Sequence, residues 1–275
     1  MAKQTDRRPL TAATAVALTI AGSDCSAGAG LQADLKTFSA LGVFGLTAVT
    51  CVVAEVPGKV SRINAVDAGN LREQIELLLA HFPIGAIKTG LLYSPEIVEV
   101  VATVLEEAAE GIPLVVDPVM VATSGDALLQ PAAVETYRTR LFPRATLVTP
   151  NMAEAAALTG RAVRNLDEMR AAGEQLAKKF GTQFLLKGGH LGGKSATDLL
   201  FGGMAVVEFS APFLDGFSTH GTGCTYSAAI AARLALGDEL EEAIARAKDF
   251  VSRAISRHLV WTTPLGEVQA LNHLF

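Results

Sequence analysis

Short apolar runs and longer amphipathic stretches alternate along the whole chain. Residues 15–21 form a continuous apolar run, which predicts a buried strand feeding a glycine-rich turn. Residues 31–41 predict a helix, and the β-branched, apolar residues 46–53 predict the next strand. Leu71, Ile75, Leu78, Leu79 and Phe82 recur at helical spacing and predict an amphipathic helix over 70–82. Asn70 and Glu73 have the spacing of a capping pair at its start. Ser94-Pro95-Glu96 opens another helix with an N-cap, a first-turn proline and a first-turn acid. Residues 114–116, 146–148 and 184–186 predict short buried strands, which end in Asp117-Pro118, Thr149-Pro150 and Lys187-Gly188-Gly189. Residues 198–201 and 206–209, joined by Gly202-Gly203, predict a hairpin near a sheet edge, and 222–236 and 239–258 predict two final helices.

This alternation implies an α/β fold, with a mostly parallel central sheet covered on both faces. No repeat or linker interrupts residues 12–275, so one domain is expected there, preceded by a disordered polar segment at 1–11. In such sheets ligands bind beyond the carboxyl ends of the strands, and chemistry is to be sought just after each strand.

Composition narrows the function. Half of the 275 residues are apolar and 19% are charged, as in an ordinary globular protein. The net charge of −5, without a basic block, gives no support for nucleic-acid binding. Lys3, Arg7 and Arg8 before the apolar run at 12–21 have the look of a signal peptide, but a strand feeding Gly22-Ser23-Asp24 explains the run better. No run is long enough to predict a membrane helix. The three cysteines and five histidines are scattered, without zinc-type or disulfide-type spacing, which suits a reducing, cytoplasmic setting.

Four segments carry candidate chemistry. Gly28, Gly30 and Ala33 fit the G-x-G-x-x-A spacing of dinucleotide loops, with Glu55 near the place of a ribose-binding acid. A flexible turn explains the same glycines, and Asp34 is either a substrate-binding acid or a solvated one. His220-Gly221-Thr222-Gly223-Cys224 opens a helix rich in small residues, where free N–H groups and the helix dipole make an anion hole. Cys224 there is either a thiol of lowered pKa, fit to act as base or nucleophile, or a small buried hydrophobe. Asn151 and Glu154 form a capping pair, and both also suit phosphate or magnesium contacts. Asp117 and Lys187 each follow a strand, where an acid can orient magnesium waters and a lysine can neutralise phosphate. No Walker A motif occurs.

In order along the chain, Leu18-Thr19-Ile20-Ala21-Gly22-Ser23-Asp24, the segment from Gly28-Ala29-Gly30 to Lys36-Thr37-Phe38, Asp117-Pro118-Val119-Met120, Thr149-Pro150-Asn151, Lys187-Gly188-Gly189-His190 and His220-Gly221-Thr222-Gly223-Cys224-Thr225 resemble the hydroxymethylpyrimidine/phosphomethylpyrimidine kinases of thiamin biosynthesis. That family is ribokinase-like, so the resemblance implies a three-layer αβα sandwich, ATP and Mg2+ as cofactors, and a homodimer. It implies that Gly22, Asp34 and Glu55 line a pyrimidine pocket, while Thr149, Asn151, Lys187 and Glu154 face nucleotide phosphates and magnesium, with Asp117 reaching the metal through water. Gly221, Thr222 and Gly223 would form the anion hole and Cys224 would stand as base.

Cys25, Ala27, Leu91 and Thr123 depart from the family pattern, and Glu55 replaces a Gln that contacts the pyrimidine. A carboxylate there must be protonated or paired with a basic aminopyrimidine, or substrate preference has moved. Three rival readings stand beside this one: a vitamin B6 kinase of the same superfamily, mildly disfavoured by Ala122 in the lid; a nicotinamide-dependent dehydrogenase; and a non-catalytic small-molecule binder.

Overall fold

The structure, a computed structural model, describes residues 14–120, 128–189, 194–216 and 220–275. The segment before Thr11, the lid positions Ala122 and Thr123, and His190 lie outside the described residues.

Nine strands form one sheet in the order β3-β2-β1-β4-β5-β6-β7-β8-β9. They are β1 (Val16–Asp24), β2 (Phe44–Val56), β3 (Lys59–Ala65), β4 (Ile84–Thr89), β5 (Leu114–Val116), β6 (Leu147–Val148), β7 (Gln183–Gly188), β8 (Ser195–Phe201) and β9 (Val207–Pro212). The run from β2 through β1, β4, β5 and β6 to β7 is parallel. Strand β3 adds antiparallel at one edge, and the β8–β9 hairpin adds antiparallel at the other. A separate hairpin, β10 (Leu259–Thr263) and β11 (Gly266–Ala270), follows the last helix.

Successive side chains of a central strand enter opposite cores, because both faces of a parallel sheet are covered. Leu18, Ile20, Val116, Val148 and Phe184 face one apolar cluster, with α2 (Ala68–His81), α3 (Pro95–Ala108), α5 (Met152–Thr159) and α6 (Leu166–Phe180) packed over it. The intervening Ala17, Val115, Leu147 and Leu185 face the other cluster. That side is covered by α1 (Gly30–Ala40), α7 (Thr222–Ala235) and α8 (Leu240–Ser256). A short α4 (Ala133–Thr136) runs on into a π-helical turn (Tyr137–Leu141) and a 3-10 turn (Phe142–Arg144). Among the described residues no helix is long and apolar enough to cross a membrane.

Helix α7 explains the run of small residues at its start. Every residue from Thr225 to Ala232 is buried, and a Cβ on Gly85 of β4 would lie 3.2 Å from the Ala235 backbone. Only small side chains let helix and sheet come this close. Helix α2 corrects one expectation. Its N-cap is Asp67, whose carboxylate accepts the Asn70 N–H, so the helix begins before the Asn70–Glu73 pair.

Candidate active site

A cleft of about 490 Å3 opens beyond the carboxyl ends of β1, β4, β5, β6 and β7. That volume suits a small organic ligand. Gly22 and Glu55 line one end, Lys88, Asp117, Asn151, Glu154 and Lys187 the middle, and residues 221–224 the far wall.

The far wall is the start of α7. Gly221 is its N-cap, with φ +78°, and Thr222, Gly223 and Cys224 occupy the first three helical positions. The first intrahelical bond is donated by the Thr225 N–H to the Gly221 carbonyl, at 2.9 Å. The preceding amides are the orphan donors of a helix N-terminus. A Cβ on Gly221 would sit 1.8 Å from the Gly28 carbonyl oxygen, so the loop can only be glycine there. The Thr222 hydroxyl oxygen is buried without a hydrogen-bond partner among the described residues, at the cleft wall.

Asp117 is the hub of the middle. Its Oδ1 accepts from Lys187 Nζ at 2.9 Å and from the Thr149 hydroxyl at 3.1 Å, and its Oδ2 accepts from the Ser227 hydroxyl at 3.2 Å. Burial alone would raise its pKa, but Lys187 and Lys88 outweigh burial and hold it below the usual carboxylate range. Lys187 reaches the cleft because β7 is bridged to Asn151 and its N–H donates to the Pro150 carbonyl at 2.9 Å. Asn151 and Glu154 make a full capping box: Glu154 Oε2 accepts the Asn151 N–H at 2.8 Å, and Asn151 Oδ1 accepts the Glu154 N–H at 2.9 Å. Burial and the neighbouring Asp117 charge push Glu154 up to about 7, against the pull of Lys187.

Two expected wall residues lie behind the wall. Thr149 is fully buried and its hydroxyl is turned onto Asp117 rather than toward a nucleotide. Asp34 is also fully buried, accepting from Lys88 Nζ at 2.8 Å and from the Thr19 hydroxyl at 2.6 Å. Burial raises the Asp34 pKa, with the Lys88 charge and the hydrogen bonds from Lys88 and Thr19 pulling the other way. Lys88 is held protonated by the Asp34 charge, although burial opposes it. Lys88 is absent from the site residues expected from the sequence. It sits in β4, whose apolar run is broken by Gly85 and by Lys88 itself, and its position just before the strand's carboxyl end was the available signal.

Cys224 lies on the cleft wall, but burial pushes its thiol up to about 11, with Asp117 and Asp34 adding to the effect and Lys88 opposing it. Burial thus outweighs the lowering expected from the helix N-terminus and favours the neutral thiol.

At the near end Asp24, Glu55 and His220 place one ligand atom each within 4.8 Å of one another. Asp24 is already saturated. Its oxygens accept from the Ser26 N–H and hydroxyl and from the Gly28 and Ala29 N–H groups, and its Oδ2 lies 3.3 Å from His220 Nε2. Burial would raise Asp24, and the bonds from His220, Ser26 and Ala29 hold it low instead. The loop amides that a dinucleotide pyrophosphate would need are engaged by Asp24, which removes the dehydrogenase reading. Glu55 differs: its carboxylate has no hydrogen bond among the described residues, and burial and the Asp24 charge raise its pKa, against His220. Residues 23–26 and 220 carried the signal for this tie only as parts of motifs, since a separation of 196 residues hides the contact.

The second half of the cleft runs between β8 and α8. Ala196, Pro212, Phe213, Val251 and Ile255 give it an apolar lining, and Asp198 is paired to Lys248 beneath it.

A sheet of this order, with the N-terminus of a helix facing strand-end acids and a lysine across one cleft, is the architecture of the ribokinase-like vitamin kinases. The sequence profile described as phosphomethylpyrimidine kinase matches residues 24–269. The hydroxymethylpyrimidine/phosphomethylpyrimidine kinase of Rhizobium meliloti (strain 1021) is 46% identical over 244 residues, 88% of this chain and 91% of that protein. Among solved structures, an ADP complex of Bacillus subtilis pyridoxal kinase superposes with a TM-score of 0.86 at 35% identity, over 94% of this chain and 97% of that one. Phosphomethylpyrimidine kinase from Clostridium difficile 630 superposes with a TM-score of 0.77 at 39% identity, over 87% of this chain and 99% of that one. The chain belongs to the phosphomethylpyrimidine kinase family.

Proposed function

We propose that the protein transfers the γ-phosphoryl group of Mg·ATP to 4-amino-5-hydroxymethyl-2-methylpyrimidine, to its monophosphate, or to both, as a step of thiamin biosynthesis in the cytoplasm. The observation that carries this reading is the α7 anion hole, which shares one cleft with Lys187, Glu154 and the Glu55 end. Phosphoryl transfer needs positioning and charge neutralisation more than covalent chemistry by the protein. The apolar lobe between β8 and α8 suits the nucleoside, and Lys187 and Asn151 suit its phosphates. The amides of residues 222–224 would receive the charge that develops on the transferring group.

The donor set fits Mg2+. Asp117 has both oxygens engaged by Lys187, Thr149 and Ser227, so Asp117 and Glu154 would hold the ion through its own waters. The ion would neutralise phosphate charge. Cys224 would take the hydroxymethyl proton. Burial pushes the thiol up to about 11, so its own proton must first leave to solvent, with the Lys88 ammonium as the nearby positive charge that stabilises the thiolate. The pyrimidine ring would lie against Gly22 and Leu91, its amino edge toward the Glu55 carboxylate. We also propose a homodimer, supported by the unpaired edge of β3 and by Val52 and Val56, both more than half exposed on neighbouring β2.

The superposition on pyridoxal kinases favours one second reading, phosphorylation of a B6 vitamer in the same cleft. One experiment separates them: ADP release with Mg·ATP, offering hydroxymethylpyrimidine, its monophosphate and pyridoxal in parallel. Turnover of either pyrimidine supports the thiamin reading. Turnover of pyridoxal alone replaces it with the second.

A further inference from the structure

Residues 271–275 follow the last hairpin as an irregular segment laid across α8 and α7. Leu271 and His273 are buried, while Leu274 between them and the end is 76% exposed. The Asn272 N–H donates to the Ala254 carbonyl of α8 at 3.3 Å. Phe275 packs on Phe250, with ring centroids 5.2 Å apart, and the Arg253 guanidinium lies 4.4 Å from its ring centroid. The segment is therefore anchored on both sides of His273. The family match stops at residue 269, before this segment begins.

His273 is 3% exposed, and its Nε2 lies 3.0 Å from the hydroxyl of Thr225, itself fully buried. Thr225 directly follows Cys224. It is absent from the cleft wall, although Thr222, Gly223, Cys224 and Tyr226 are on it, so His273 reaches α7 from the side away from the cleft. A threonine in a helix ordinarily turns its hydroxyl back to the carbonyl four residues earlier, which bends the helix. For Thr225 that carbonyl is Gly221, which accepts the first intrahelical N–H. The hydroxyl is instead engaged by His273. Two other restraints act near this turn: the Gly221–Gly28 backbone contact in front, and the Ser227–Asp117 bond one turn further on.

We propose that His273 is a positioning residue for phosphoryl transfer, acting through Thr225 to fix the first turn of α7 and the anion-hole amides of residues 222–224. This inference rests on the kinase reading above. It implies that residues 271–275 brace the active site from behind.

The test compares His273→Ala, His273→Gln, Thr225→Val and the His273→Ala/Thr225→Val double variant with the native chain. Two quantities are read: kcat and KM for hydroxymethylpyrimidine with Mg·ATP, and amide hydrogen exchange resolved over α7. His273→Ala is expected to lower kcat roughly ten- to a hundredfold, the scale of a small misplacement of catalytic groups, with KM little changed. Exchange should quicken at the first turn of α7 and not across the sheet. Gln, whose side-chain amide can supply either a donor or an acceptor in place of Nε2, should restore most of kcat. The double variant should be no worse than either single one, because both remove the same contact. An unchanged kcat and exchange in His273→Ala would overturn the proposal. So would a loss that Gln does not restore and that comes with faster exchange throughout the chain, since that would mark a packing role alone. If the native chain phosphorylates none of the offered substrates, the kinase reading fails, and the exchange comparison still decides whether the brace exists.

Discussion

Cys224 has the address of a reactive cysteine and the resting chemistry of an inert one. It occupies the third position of a helix, yet burial pushes its thiol up to about 11. Site-resolved alkylation with iodoacetamide is expected to label exposed Cys25 first at neutral pH, with Cys224 labelled only as pH rises toward about 11. Rapid labelling of Cys224 at neutral pH would show a thiolate already present and remove the requirement for its proton to leave first. Glu154, at about 7, titrates within the working range. Below that pH it is neutral and offers no charge to magnesium waters, so KM for Mg·ATP should rise as pH falls through about 7. Glu154→Gln should have a raised and nearly flat KM across the same range. For Glu55 the expectation concerns the ring: Glu55→Gln should change the pH dependence of KM for hydroxymethylpyrimidine while leaving that for Mg·ATP alone. Identical profiles would show that the Glu55 carboxylate does not read the ring.

The elements were legible where burial dictated them. Runs such as those of β1, β5, β6 and β7 are apolar because both sheet faces are covered, and their strand-end residues Asp117, Asn151 and Lys187 could be placed from order alone. Strand β3 and the β10–β11 hairpin were not legible. They are exposed and alternate weakly, so no periodic signal marks them. Helix α6 is not among the elements expected above, although Asn165 is its N-cap, accepting the Glu168 N–H, and left-handed Gly181 ends it. In α2 the cap is Asp67, three residues before the Asn70 expected from the sequence. Asp67→Ala is therefore expected to cost about 1 kcal/mol, read from the urea midpoint, and Asn70→Ala much less. Gly221→Ala asks more of the fold. It forces a side chain into a left-handed residue and against the Gly28 carbonyl, so activity should be abolished and stability should fall by roughly 2 kcal/mol or more.

On the scale of the whole molecule, acid stability is set by groups in and behind the cleft. Burial pushes His273 down to about 4 from its ordinary 6.5, so the unfolded chain binds its proton first. Stability from this group is complete above about 6.5 and is lost as pH falls toward about 4. Asp24 and Asp117, both held low, add a second loss below their ordinary value of 3.8. The thermal midpoint should thus decline in two stages on acidification, and His273→Ala should remove the upper stage only. A different consequence follows from the contact between Asp24 and His220, which are 196 residues apart. Synthesis is vectorial, so the ribosome delivers the first of these residues long before the second. The two halves of the cleft cannot meet until the chain has been made through α7. Ligands of the cleft therefore recognise finished molecules alone, and their binding energy stabilises only those. In a cell short of nucleotide, newly made chains would complete the same fold with less protection from proteolysis than chains made when nucleotide is plentiful.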